Sequence, residues 1–162
     1  MKIAVYAGSF DPITNGHFWM IEQGASLFDK LVVAVGTNPD KHYSFSLEQR
    51  LKMVRETIEN FSEVSVDSFE HQFLVYYAHS IGARYILRGI RNGEDYEYER
   101  GLRYINTDLR PDIVTVFLMP SREIAEVSSS LVKGMVGPVG WQPAVRQYVP
   151  DAAYNAMVEK YG

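Results

Sequence analysis

Apolar residues fall along this chain in two alternating rhythms. Short runs with almost no polar interruption, Ile3–Tyr6, Leu31–Val35, Tyr85–Leu87 and Val114–Leu118, read as strands, and Val64-Ser65-Val66 as a short further one. Between them, apolar positions step at helical intervals: Phe18, Ile21, Ala25 and Phe28, then Leu47, Leu51, Val54 and Ile58. These predict helices from about Asn15 to Phe28 and from Leu47 to Ile58. Further helical stretches run from Phe73 to Ile81, from Tyr96 to Leu109 and from Ser128 to about Met135. Ser46 with Gln49 three residues on has the form of a capping box, and Gly82 is a natural stop for the helix before it.

Runs of Val, Ile and Leu without alternation suit strands buried on both faces, and strand-helix repetition calls for parallel pairing with right-handed crossovers. The expected fold is therefore α/β: a Rossmann-like, doubly wound, five-stranded parallel sheet flanked by helices, one domain over residues 1–162. After Gly134 the periodicity weakens. Residues 137–143 are turn-rich and Asp151–Lys160 is a last helical stretch, so 136–162 reads as a divergent C-terminal helical extension. No repeat, low-complexity segment or second domain is apparent.

Composition narrows the class. A chain of 162 residues, 46% hydrophobic and 22% charged, matches an ordinary globular domain. A net charge of −4 argues against nucleic acid as the main partner. The absence of Cys removes thiol nucleophiles, disulfides and Cys-ligated zinc, and fits a reducing cytoplasm. The apolar stretch before Asp11 is too short for a signal peptide, and no segment reaches the length of a membrane span, so a cytoplasmic protein without membrane contact is expected.

The candidate chemistry lies where strands end. Gly8-Ser-Phe-Asp-Pro-Ile-Thr-Asn-Gly-His17 joins the first strand to the first helix. Gly8 lets backbone approach a ligand, and His17 falls in the first helical turn, where unpaired N–H groups carry the positive end of the helix dipole. Together these form an anion site. The plainer alternative is that Thr14-Asn15-Gly16 only caps the helix and His17 faces solvent. Arg88 and Arg91, across Gly89, follow the fourth strand and offer planar forks for phosphate. Alternatively they pair with Glu94, Asp95, Glu97 and Glu99, of which Asp95 and Glu99 share a helix face and suit holding arginines in place. Ser128, Ser129 and Ser130 open a helix with more hydroxyls than one cap needs, and Lys41 lies after the second strand. In a doubly wound sheet all of these fall at the carboxyl edge of the strands, where ligands bind. His42, His71 and His79 have no metal-ligand spacing.

Four segments, Gly8–His17, Arg88-Gly-Ile-Arg91, Asp95-Tyr-Glu-Tyr-Glu99 and Ser128-Ser-Ser-Leu-Val-Lys133, together resemble the bacterial phosphopantetheine adenylyltransferase family, from residue 2 to about 135. The first segment alone marks the wider nucleotidyltransferase superfamily with its Thr/His-x-Gly-His motif. The resemblance implies transfer of AMP from ATP to 4′-phosphopantetheine, giving dephospho-coenzyme A and pyrophosphate by direct in-line attack. It implies catalytic roles for His17, Lys41 and Arg91, and acceptor contacts from Ser9, Lys41, Leu74 and Arg88. It implies ATP contacts from Ser9, Phe10, His17, Gly89, Ile90, Arg91 and Glu99, then from Ile124, Ala125, Glu126 and Val127 beside the base, and from Ser128, Ser129 and Ser130 on the phosphates. Glu99 would contact the nucleotide or secure its loop. Mg²⁺ would arrive with ATP, held by phosphates and water. A homohexamer with feedback by coenzyme A is also implied.

The chain departs from the family pattern at Ile124–Val127, where aromatic residues and Ser are usual, and at Ser9, where many members carry Thr. Asn92-Gly93-Glu94 is atypical too and reads as a mobile loop. Two alternatives remain: a sister nucleotidyltransferase using nicotinamide mononucleotide or glycerol phosphate, and a non-catalytic nucleotide-binding regulatory module. Lys41, Arg88 and the apolar Phe73-Leu74 pair suit an acceptor with a phosphate and a long thin arm. The regulatory module would be expected to lack His17, Lys41 or the arginines.

Overall fold

The computed structural model describes residues 1–162. The chain runs β1 (Ile3–Gly8), α1 (Asn15–Leu27), β2 (Lys30–Thr37), α2 (Leu47–Thr57), β3 (Val64–Glu70), α3 (Leu74–Ser80), β4 (Tyr85–Gly89), α4 (Gly93–Leu109) and β5 (Val114–Leu118). Four helices follow: α5 (Arg122–Ala125), α6 (Ser129–Gly134), α7 (Trp141–Arg146) and α8 (Asp151–Tyr161). The five strands form one parallel sheet in the order β3-β2-β1-β4-β5, as the doubly wound expectation requires. Strand order reverses at β1, which lies between β2 and β4. The carboxyl ends of β1 and β4 therefore flank the crevice where such folds bind ligands.

Alternate residues of the central strands feed two cores. Ala4, Tyr6, Leu31, Val33 and Val35 face α1, α2 and the C-terminal helices, whereas Val5, Ala7, Val32 and Ala34 face α3 and Ile113. Burial on both faces is why Leu31–Val35, the middle of β2, is an unbroken apolar run. Helix α1 lies close on the sheet at Gly24, where a Cβ would meet Leu31 and Leu87 side-chain atoms at 2.8 and 3.0 Å. The Ser46–Gln49 box forms, with Ser46 accepting the N–H of Gln49 and Gln49 accepting that of Ser46. Gly82 takes φ +74° just past α3, a left-handed stop that few other residues accept.

The structure departs from the sequence expectations at four places. β3 extends to Glu70, because its backbone pairs with β2 along the whole edge, from Leu31↔Val64 to Thr37↔Glu70. Its solvent side carries polar residues, which hid its length. Helix α4 starts at Gly93, with Asn92 as N-cap accepting the N–H of Asp95 at 2.9 Å. Asn92–Glu94 is thus a capped helix start and not a loop. A short helix, α5, precedes the Ser-rich segment. Helix α7 occupies part of the turn-rich stretch, with Pro143 in its first turn, where a missing N–H costs nothing. Trp141, Val145, Val149, Ala153 and Met157 are buried in the same core as α1 and α2. The C-terminal extension is part of the domain's interior.

Candidate active site

The β1–α1 loop is held from three sides. Phe10, at φ +49°, tucks its ring beneath the loop, 5.6 Å from Tyr6 and 4.9 Å from His17 between centroids. Asp11 is buried and accepts the N–H groups of Ser44 and Phe45 at 2.8 and 2.9 Å, and Lys133 Nζ at 3.1 Å. It thereby joins the loops after β1 and β2 to α6. At the start of α1, the N–H and side-chain amide of Asn15 donate to the carbonyls of Tyr148 and Gln147, at 2.8 and 3.1 Å. The C-terminal extension thus clamps the turn that carries His17.

His17 is the third residue of α1 and completes a capping box in which imidazole replaces the usual carboxylate or amide. The Thr14 N–H donates to Nδ1 at 3.0 Å. Burial, helped by the Arg91 charge, lowers the ring's pKa from 6.5 to about 4. At neutral pH the imidazole is therefore uncharged, and with Nδ1 accepting, its proton sits on Nε2. His17 lines the crevice as a neutral hydrogen-bond donor.

Two cavities open along the carboxyl edge, of about 500 and 420 Å³. The larger is lined by His17, Gly89, Arg91, Ile124 and the start of the Ser-rich segment, the smaller by Thr37, Phe69, Phe73, Leu74, Leu102 and Asn106. They share a wall made by Gly8, Ser9, Lys41, Arg88 and Glu99. At that wall Lys41 Nζ donates to Ser9 Oγ at 3.3 Å and has no carboxylate partner. A cation, a hydroxyl and a guanidinium thus converge where the two cavities meet.

The carboxylates act on the arginines. Glu99, 6% exposed, accepts Arg88 Nε at 2.9 and 3.0 Å and also Arg88 Nη2, while Arg88 Nη1 donates to the Ala7 carbonyl at 3.1 Å. Asp95 accepts the Arg91 N–H at 3.0 Å and its Nε at 2.9 Å. The two residues thereby orient the guanidinium groups. Neither is left free for a cation, and no group of three or more His, Asp or Glu side chains is placed to hold a metal ion. Tyr6 also faces the larger cavity, and burial pushes its hydroxyl well above the usual range, so it stays a neutral phenol despite Arg88 and Arg91 nearby.

Several sequence-predicted contacts lie differently. The Phe10 side chain is 1% exposed and lines neither cavity. The Ile90 N–H is consumed by the Leu118 carbonyl at 2.9 Å, and the side chain is buried. Ala125, Glu126 and Ser130 are outside the cavity walls, whereas Ile124, Val127, Ser128 and Ser129 are in them. The serine hydroxyls are already committed in part: Ser128 caps α6 through the Leu131 N–H at 3.1 Å, and Ser129 donates to the Pro12 carbonyl at 2.8 Å.

Sequence reasoning missed the α4 wall, Tyr98, Leu102 and Asn106, whose four-residue spacing was a visible signal. It also missed Arg50. That residue occupies the apolar stripe of α2 between Leu47 and Val54, and an Arg on such a stripe is itself a signal.

The Cytidylyltransferase-like family model matches residues 5–135. A Chromobacterium violaceum protein named phosphopantetheine adenylyltransferase is 60% identical over 161 residues, covering 99% of this chain and 98% of its own. A protein of the same name from Neisseria meningitidis serogroup C is 54% identical over 158 residues, covering 98% and 93%. Among solved structures, Plasmodium falciparum nicotinic acid mononucleotide adenylyltransferase complexed with NaAD superposes with a TM-score of 0.71 at 14% identity. It covers 98% of this chain and 95% of its own, a likeness of fold.

Proposed function

The chain belongs to the phosphopantetheine adenylyltransferases of the cytidylyltransferase-like family, and on that premise we propose how its residues divide the work. The reaction is transfer of the AMP group of ATP to 4′-phosphopantetheine, giving dephospho-coenzyme A and pyrophosphate in coenzyme A biosynthesis. The observation that carries the assignment of roles is the meeting of the two cavities at Ser9, Lys41 and Arg88. ATP takes the larger cavity, with its phosphates toward His17, Arg91 and the start of α6. The pantetheine arm takes the smaller one, along Phe73, Leu74 and Leu102, with its phosphate at the shared wall.

An oxygen of the acceptor phosphate attacks the α-phosphorus, and the bond to the β-phosphate oxygen breaks in line as pyrophosphate leaves. The attacking oxygen is already anionic, so no general base is needed. Catalysis is positioning plus stabilisation of charge. Lys41 and Ser9 hold the attacking phosphate and lessen repulsion between the two anions. The Nε2–H of His17 donates to an α-phosphate oxygen as negative charge builds. Arg91 and the backbone N–H of Ser129 receive the departing phosphates. Arg88, fixed by Glu99, faces the acceptor. With Asp95 and Glu99 both taken by arginines, Mg²⁺ enters with ATP, bound by phosphates and water.

A homohexamer and feedback by coenzyme A are further readings supported by family membership. The half-exposed Tyr104, Ile105 and Val114 and the exposed Met119 offer apolar surface for such assembly. No helix is long and apolar enough to cross a membrane, and a cytoplasmic setting fits the substrates.

The test is pyrophosphate release from ATP and Mg²⁺ with 4′-phosphopantetheine, beside nicotinamide mononucleotide and glycerol phosphate. Release with phosphopantetheine alone, with dephospho-coenzyme A identified by mass, is the expected result. Release only with another acceptor reassigns the smaller cavity. ATP binding without turnover on any of the three points to a regulatory module.

A further inference from the structure

Behind the shared wall of the two cavities lies a buried cation. Arg50 is 1% exposed, the largest fully buried side chain of the protein, and has no carboxylate within ion-pair distance. Asp11, the one carboxylate whose charge acts on Arg50, is already committed to two N–H groups and Lys133. Arg50 Nη1 donates to the carbonyls of Ser9 and Gly36 at 2.9 and 3.0 Å, and Nη2 to Thr37 Oγ1 at 3.1 Å. Nε has no partner. The guanidinium carbon rests 4.0 Å from the centre of the Tyr43 ring, whose hydroxyl accepts the Asn38 N–H at 2.8 Å. Burial lowers the pKa of Arg50 from its ordinary value, with the charge retained.

Burying a charge without an ionic partner is costly, and an apolar residue at this stripe position of α2 would be the cheaper solution for packing alone. The groups that Arg50 bridges explain its presence. Ser9 belongs to the loop after β1, and Gly36, Thr37 and Tyr43 belong to β2 and the loop that carries Lys41. Without the fork, the Ser9 and Gly36 carbonyls beneath the site lose their shared donor, and the Ser9–Lys41 pair rests on one 3.3 Å contact between an exposed lysine and a loop hydroxyl.

We propose that Arg50 is a positioning residue for the acceptor half of the reaction: its fork locks the Ser9 turn to the Lys41 loop. Resting on the assignment of the Ser9–Lys41 wall to the acceptor phosphate, this predicts an asymmetric defect. Loss of the fork loosens the site for 4′-phosphopantetheine and leaves the His17–Arg91 cavity for ATP intact. A purely structural role would lower the folded fraction, and with it the apparent turnover, while leaving both Michaelis constants unchanged.

The experiment compares wild type, Arg50→Met and Arg50→Lys in steady-state turnover, with ATP and 4′-phosphopantetheine binding measured separately by calorimetry. The wild-type reaction tests the underlying assignment by itself. If wild type turns over, Arg50→Met is expected to lose about 10²-fold in kcat/KM for the acceptor while ATP affinity stays within about two-fold. Arg50→Lys keeps the charge but not the planar fork, and is expected to keep most of the defect. Should Arg50→Met fail to fold, Arg50→Lys decides. Wild-type acceptor parameters in a folded variant, or equal losses for both substrates, overturn the proposal.

Discussion

Thr14 and His17 hold one another: the Thr14 N–H donates to Nδ1 of His17 at 3.0 Å, and the Thr14 hydroxyl accepts the His17 N–H at 3.4 Å. The cap that starts the helix therefore also sets the tautomer of the ring. The side chain that completes the cap is also the one that lines the larger cavity.

The first prediction concerns that donor. Replacing His17 by Ala removes the Nε2–H from the developing charge and half of the capping box. Turnover should fall by about 10²- to 10³-fold, the usual cost of one such donor. Stability should fall by only about 1 kcal/mol, the scale of a lost cap interaction. Steady-state kinetics beside denaturant unfolding checks both. Near-normal turnover would remove His17 from the reaction.

The lowered pKa of His17 makes a second prediction. The fold favours the neutral ring, so the unfolded chain, with an ordinary His pKa of 6.5, takes up the proton first as pH falls. The contribution to stability is fully present above 6.5 and is lost as pH falls toward about 4. Between pH 7 and 5 wild type should lose about 2 kcal/mol relative to His17→Gln, as a ceiling for a half-buried ring. Thermal unfolding of both proteins across that range measures it. A gap independent of pH would mean that the ring titrates normally.

Lys41 is the third case. With no carboxylate partner, its charge is available to an anionic ligand, and its contact with Ser9 directs it to the shared wall. Lys41→Ala should reduce kcat/KM for 4′-phosphopantetheine by about 10²-fold and alter ATP affinity little. Calorimetry on each substrate separates the two effects. Loss confined to ATP affinity would move Lys41 to the nucleotide side.

What was legible in advance divides by physics. The Ser46–Gln49 box and the unbroken β1 and β2 runs are local signals, and they form as read. The convergence of His17, Lys41, Arg88 and Ser128 also followed, because a parallel sheet sends every strand's exit to one edge. Signals carried by absent or disguised patterns were lost. Asn92-Gly93-Glu94 reads as a loop and residues 137–143 as turns, yet Gly93 and Pro143 each sit in a first helical turn, where backbone N–H groups have no intrahelical partner. The roles of Phe10 and Ile90 were hidden because a motif specifies a backbone path and does not say which side chains face the ligand. Arg50 was overlooked because its three acceptors are Ser9 and Gly36 carbonyls and the Thr37 hydroxyl, which no charge pattern reveals.

Glu99 supplies a fourth prediction. Its carboxylate is buried against Arg88, and removing one partner of such a pair strands the other charge. Glu99→Ala should cost about 3 kcal/mol in urea unfolding and raise the KM for the acceptor, because Arg88 loses its orientation. Glu99→Gln, which keeps an oxygen acceptor, should fall between. If Glu99→Ala is as stable as wild type, the pair is not the anchor of Arg88.

The last prediction concerns residues 136–162, the part of the chain whose sequence reveals least about its role. Met157, Ala153, Val149, Val145 and Trp141 are buried with α1 and α2 in a single cluster, and the Tyr148 carbonyl takes the Asn15 N–H beside His17. A tail built this way is not an appendage. Met157→Ala should cost about 2 to 5 kcal/mol, as for other fully buried large-to-small changes, and unfolding should remain a single transition. Deleting 136–162 should abolish cooperative folding, since the inner faces of α1 and α2 would be left in water. Calorimetric unfolding distinguishes the outcomes. A truncated protein that melts cooperatively and still binds ATP would show that the first 135 residues form a self-sufficient core and that the clamp on Asn15 is dispensable.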